Sequence, residues 1–388
     1  MIKMLTAHTF EMDFVDDAVE EILRQLNIED GFSSNAIGII TCHAEFIRTG
    51  VVETLCKRLP FTVAGCTTLG SASGDAEGHQ LLAISVLSGD DVEFSAALSD
   101  VISEGNVAQP IENAYARALA GLSDPSPVLA VAFLPFMRAV DGSKLFNSLS
   151  RSCGDTPVYG TISCSENADL SGCFTILNGE TAEHAAVIVL ARGNIKPRFF
   201  VTSVDDDRMG KQKGRITDAE GSLIRTVNDM KTVDFLKICG IAEDTLNRAS
   251  ASIPVMIDYR DGSDALACGI YNVTPEGYIH VGADVSAGAY LSIGTQDYNG
   301  IMSSLDSVLG RMLSETNPAG ILMFPCLSRS LMLGMNSEDE LKAAVTKLGD
   351  AAPYHIGYSG GEICPVYIDG NAHNRFHNFT FTACVFEK

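Results

Sequence analysis

Apolar positions along the chain fall in short runs that stop at glycine. Residues 61–64 (FTVA) form one such run. Gly65 ends it, and small polar residues follow, Cys66, Thr67, Thr68, Ser71 and Ser73 among them. A buried strand reads this way when it ends at a site rather than in a plain turn. Glycine admits a close neighbour, and the hydroxyls and thiol beside it offer contacts. The pattern returns in 157–165 (PVYGTISCS) and 353–362 (PYHIGYSGGE), so Gly65, Gly160 and Gly357 are expected at equivalent positions.

What surrounds each glycine repeats as well. Apolar runs lie upstream at 36–41, 128–134 and 320–325, helical stretches follow at 44–58, 143–152 and 337–348, and another run lies downstream at 81–87, 185–191 and 379–386. This order predicts a repeated β-α-β unit with an added antiparallel strand, in an α/β (mixed α+β) fold. The rest of the pattern predicts a first strand at 3–9 and a helix from Asp13 and Asp16 to about Leu26. Helices are expected at 111–122, 222–238 and 301–313. Hairpins are expected across Gly89-Asp90 and across Asn178-Gly179, the latter joining 174–177 to 185–191. A last strand of the first half is expected at 199–204, and short antiparallel strands at 265–274, 277–283 and 289–294. The charged, apolar-poor stretch 205–221 (DDDRMGKQKGRITDAEG) is the expected linker between domains at 1–204 and 222–388. A length of 388 residues also favours two domains.

Composition narrows the function classes. The net charge is −22, and no Lys/Arg stripe offsets it, so nucleic acid is not an expected partner. The longest clean apolar run, 185–191, is far too short to cross a bilayer, and Glu11 interrupts any signal-peptide core. No membrane partner and a cytoplasmic location are expected. Eleven Cys without any CxxC argue against a disulfide framework or a zinc knuckle, and most read as buried small hydrophobes. Cys66, Cys164, Cys326 and Cys364 stand apart because they sit at or beside strand ends.

The wording of several stretches resembles the FIST family of sensory proteins, FIST N followed by FIST C. AGCTTLG (64–70) and LLAISVLSGDDVEFS (81–95) carry the resemblance in the first half. FPCLSRS (324–330), GYSGGEICP (357–365) and HNFTFTACVF (377–386) carry it in the second. The chain departs from the family where Arg329 lies between Ser328 and Ser330 rather than beside glycine. The resemblance implies ligand sensing rather than catalysis. It also implies output through a separate signalling enzyme, such as a histidine kinase or a cyclic-dinucleotide enzyme. Some free-standing members of similar size bind haem and sense nitric oxide for a partner histidine kinase; amino-acid-like ligands are among the others proposed for the family.

In sheets with parallel strands, ligands sit at the carboxyl ends. That rule selects His43, Cys66, Thr67, Thr68, Thr161, Ser163, Cys326, Arg329, Ser359, Gly360 and Glu362 as candidate ligand-binding residues. Arg329 could fork onto a carboxylate and Glu362 could take an ammonium, unless the two pair with each other or with solvent. For haem, His43 is the axial candidate by its strand-end position, and Cys66 and Cys326 are the alternatives. His373 and His377 are four apart, about 13 Å along a strand, which does not make a metal site. A Cys66 or Cys326 nucleophile with His43 as base is the enzymatic alternative, with no signature around it.

Overall fold

The computed structural model describes residues 2–28, 35–167, 171–202, 204–242, 244–246 and 252–388. The first unit contributes β1 (Lys3–Thr9), β2 (Ala36–Cys42), β3 (Thr62–Thr67), the hairpin β4 (Ser71–Ser73) and β5 (Ala76–Gly78), and β6 (Leu82–Ser88). The second contributes β7 (Val92–Leu98), β8 (Leu129–Leu134), β9 (Val158–Ile162), the hairpin β10 (Thr175–Leu177) and β11 (Glu180–Ala182), and β12 (Val187–Gly193). The third opens with β13 (Pro197–Thr202) and is interrupted by a lobe. The lobe holds β14 (Gly214–Glu220), β15 (Leu223–Val227), β16 (Met230–Lys231), the helix Thr232–Ile238, β17 (Val255–Asp258), β18 (Leu266–Cys268), β19 (Ile270–Val273), β20 (Ile279–Val281) and β21 (Tyr290–Ile293). The unit resumes with β22 (Pro318–Pro325), β23 (Tyr354–Gly357), β24 (Glu362–Ile363), β25 (Val366–Ile368), β26 (Asn371–His373), β27 (Phe376–His377) and β28 (Phe381–Glu387).

Each unit builds the same four-stranded core, in the orders β1-β6-β2-β3, β7-β12-β8-β9 and β13-β28-β22-β23. The last two strands of each order, β2/β3, β8/β9 and β22/β23, are parallel, as β-α-β units require. The glycines are equivalent down to register. Gly65 pairs with Ile40 and Gly160 with Ala132. The register of β22 with β23, carried on by the Cys326–Ser359 bridge, sets Gly357 opposite Phe324. A Cβ on Gly65 would lie 1.8 Å from the Ile40 carbonyl oxygen, and one on Gly160 2.1 Å from that of Ala132. Any side chain there would push the parallel strands apart.

Each sheet is completed by a hairpin from another unit. β10–β11 of the second unit pairs with β3, β24–β27 of the third with β9, and β4–β5 of the first with β23. The exchange closes in a cycle and ties the three units together. The three sheets face one another as a prism. Its core takes Ile37, Ile39 and Ala64 from one side, Val131, Phe133 and Tyr159 from the second, and Leu322, Phe324 and Phe386 from the third. Strand β8 shows why these strands read as unbroken apolar runs. Leu129, Val131 and Phe133 face the prism core, while Ala130, Ala132 and Leu134 face outer helices.

Five local expectations change. Gly89-Asp90 is not a hairpin turn, because β6 lies in the first sheet and β7 in the second. Asn178-Gly179 does turn a hairpin, but it joins β10 to β11 rather than to 185–191. The strand expected at 199–204 is β13, which pairs with β28 in the third sheet and not in the first half. Part of 205–221 forms β14, paired with β15 and β21. The helix expected over 222–238 forms only at Thr232–Ile238, and the first part of the stretch is β15 and β16. The lobe docks on the end of the prism, where Asn378 donates its backbone N–H to the Ala267 carbonyl and accepts the Gly269 N–H at 3.2 Å.

Candidate functional site

The carboxyl ends of the three parallel pairs converge at the end of the prism that the lobe covers. The Cys164 N–H donates to the Thr67 carbonyl, the Gly360 N–H to the Ile162 carbonyl, and the Thr68 hydroxyl to the Tyr358 carbonyl at 2.7 Å. The Thr161 hydroxyl donates to Ser359 Oγ at 2.7 Å, and Ser163 Oγ accepts the Phe136 N–H at 3.1 Å. Thr67 Oγ1 accepts the Phe174 N–H at 2.8 Å. Thus Thr67, Thr68, Thr161, Ser163, Cys326, Ser359, Gly360 and Glu362 are brought together from three units, all buried except the half-buried Gly360. Most of these hydroxyls are spent on holding the loops to one another.

Glu362 is different. It heads β24, opposite Thr161 on one side and His377 on the other. Its Oε2 accepts the Thr380 hydroxyl at 2.8 Å and the Thr380 N–H at 3.3 Å, while Oε1 has no hydrogen-bond partner among the described residues. Burial pushes its pKa up to about 8, against the opposing pull of Thr380 and of the nearby Cys326 and Ser359 side chains. A carboxyl held this way at a strand end is a functional-site signal.

His377 repeats the theme. Its Nε2 lies 2.8 Å from the Cys364 carbonyl, an acceptor only, so Nε2 carries the proton. Nδ1 has no partner among the described residues. Burial keeps the ring neutral, with a pKa down to about 4. His377 and Thr380 line a cleft of about 460 Å³ whose other walls include Phe199, Val204, Leu266, Arg311 and Tyr367. From the lobe, Tyr271 keeps half its surface open. Burial pushes its phenol well up, with Cys326, Asp141 and Glu362 adding to the shift.

Four expected residues do other work. Arg329 is fully buried. Its guanidinium pairs with Glu340 at 2.7 Å and donates to the Ile301 carbonyl and to Ser304 Oγ, so it is committed neither to a ligand nor to Glu362. His43 has both ring nitrogens engaged: Nε2 lies 2.8 Å from Glu166, and Nδ1 accepts the Glu45 N–H. Burial raises the Cys66 thiol, as it does Cys326, so both stay protonated thiols. Neither His43 nor these thiols fits a haem iron, and His43 is not poised as a base for either thiol. Among the described residues no cluster of three or more His, Cys, Asp or Glu could hold a metal. His373 and His377 lie on separate strands. Sequence reasoning weighed His377 only as half of a metal pair and passed over Thr380; their place at the head of HNFTFTACVF was the available signal.

No helix of the described residues is long and apolar enough to cross a membrane. No curated protein matches the chain. Among solved structures, a cyanuric acid hydrolase from A. caulinodans aligns over 100% of this chain and 99% of its own, at 10% identity and a TM-score of 0.34. The FIST N domain model matches residues 36–230 and the FIST C domain model residues 234–365. With both domains in one chain, this protein belongs to the FIST family, whose domains generally sense small ligands in signalling proteins.

Proposed function

We propose that this chain is a small-molecule sensor that reports to a separate signalling enzyme, a histidine kinase or a cyclic-dinucleotide enzyme. The ligand sits where the lobe meets the strand ends. The observation that carries this reading is Glu362, a buried carboxyl with one oxygen unpartnered among the described residues, bonded to Thr380, which lines a cleft of about 460 Å³. A buried polar group without a partner costs roughly 1–3 kcal/mol. A ligand that meets it recovers that cost, so bound and free states differ in free energy at this point. Cleft volumes of this order suit small organic ligands.

The site is neutral or acidic rather than a carboxylate fork. Arg329 is spent inside, and Arg311 is the cation on the cleft wall. The residues expected to ligate haem do not fit it, so the proposal runs without a prosthetic group. Asn378 bonds the prism end to the lobe, so a ligand bound beside it can bias how the two pack. The enzymatic reading has less support, because the buried thiols are held protonated.

The test is a thermal-shift panel of amino acids, amines and small heterocycles, followed by an assay of the neighbouring signalling enzyme. A compound that raises the melting temperature and changes enzyme output supports the proposal. Equal output with occupancy confirmed would leave binding without signalling.

A further inference from the structure

Resting on this reading of the cleft, the geometry points to a ligand class: a planar ring compound carrying an N–H donor, which hydrogen-bonds to Nδ1 of His377. The side chain is 1% exposed and lines the cleft, and its Nδ1 is without a partner among the described residues. The tautomer follows from contact alone, since a carbonyl opposite Nε2 can only accept. Nδ1 therefore presents a lone pair, and only a donor can satisfy it. Burial, by keeping the ring neutral, preserves that lone pair across ordinary pH.

The walls set the shape of what brings the donor. Phe199 and Tyr367 stand side by side on the cleft with ring centroids 6.5 Å apart. Val201, Val204 and Leu266 add apolar surface. Flat aromatic and branched aliphatic walls favour a planar apolar body, held by area and by ring contacts. Arg311, on the same wall, can take an anionic substituent on the far side of such a ring. No metal is needed for this recognition.

The probes are indole and 1-methylindole, which differ chiefly in the N–H. Histidine-¹⁵N-labelled protein is titrated with each and followed by NMR. Two ring spectra should stay unchanged from pH 8 to pH 6, those of the buried neutral His355 and His377. Indole should shift the Nδ1 signal of one of them, and 1-methylindole should bind about tenfold more weakly and leave it in place. His377→Gln should remove both that signal and the preference for indole. If the variant does not fold, the probe pair on the unsubstituted chain decides alone. Equal binding of the two probes, an unmoved Nδ1 signal with indole bound, or no indole binding at all would overturn the assignment. Binding as described without any change in the signalling enzyme's output would count against the sensor reading and leave the ligand class standing.

Discussion

Thr380 gives both its hydroxyl and its backbone N–H to the same oxygen of Glu362, at 2.8 and 3.3 Å, and the other oxygen has no partner among the described residues. The carboxyl is thereby fixed in direction while half its bonding capacity stays open. Its pKa, raised from 4.5 to about 8, makes the arrangement visible in stability. A carboxyl with a raised folded pKa binds its proton more tightly when folded. Its contribution is complete below the unfolded value and is lost as pH rises toward the folded one. Denaturant unfolding between pH 5 and pH 8 should therefore show the unsubstituted chain losing stability relative to Glu362→Gln. Parallel curves for the two proteins would mean that the group titrates normally.

The buried histidines act in the opposite direction. His355 and His377 have pKa values lowered from 6.5 to about 3 and about 4, chiefly by burial. A His that stays neutral when folded costs stability as pH falls below 6.5, at about 1.4 kcal/mol per pH unit for each. His355→Gln should reduce the slope of stability against pH between 6 and 5 by about that amount. An unchanged slope would show that His355 takes up its proton in the folded state.

Arg329 and Glu340 form a fully buried pair, and the Tyr358 hydroxyl also donates to Glu340 at 3.1 Å. Removing one partner strands a charge, so Arg329→Ala should cost about 3–5 kcal/mol of stability. Chemical unfolding checks this. A loss within 1 kcal/mol would return Arg329 to the ligand role expected from its strand-end position.

The threefold register makes its own prediction. Gly65→Ala and Gly160→Ala should each be severely destabilising, by more than about 3 kcal/mol, because a Cβ meets backbone oxygen. Gly357→Ala should be milder, since its nearest contact is the Thr41 side chain at 2.9 Å. Melting temperatures of the three variants would show that order; Gly357→Ala as the worst of the three would contradict it.

The equivalence of these glycines was legible because strand, glycine and small polar residues leave a local mark. The hairpins were not, because their partners lie in other units. Nothing near Ile176 says that it pairs with Gly65. The 222–238 stretch misled for a different reason. Its apolar content suits a helix face, yet Ile224, Thr226 and Val227 are β-branched, and Asn228 and Asp229 turn with positive φ. At the site, Glu362 was legible by its place after the third glycine. Arg329 was misjudged because burial against Glu340 depends on packing between helices that spacing does not show. His377 was passed over because its significance lies in which nitrogen faces the Cys364 carbonyl.

The central claim is that a small ligand is held at Glu362. Calorimetric titration of the unsubstituted chain and of Glu362→Gln, with the compound that most raises the melting temperature, tests it most directly. The account predicts affinity weaker by about tenfold in Glu362→Gln, the loss expected for one buried hydrogen bond, in a protein that remains folded. Equal affinity in the two proteins would contradict it.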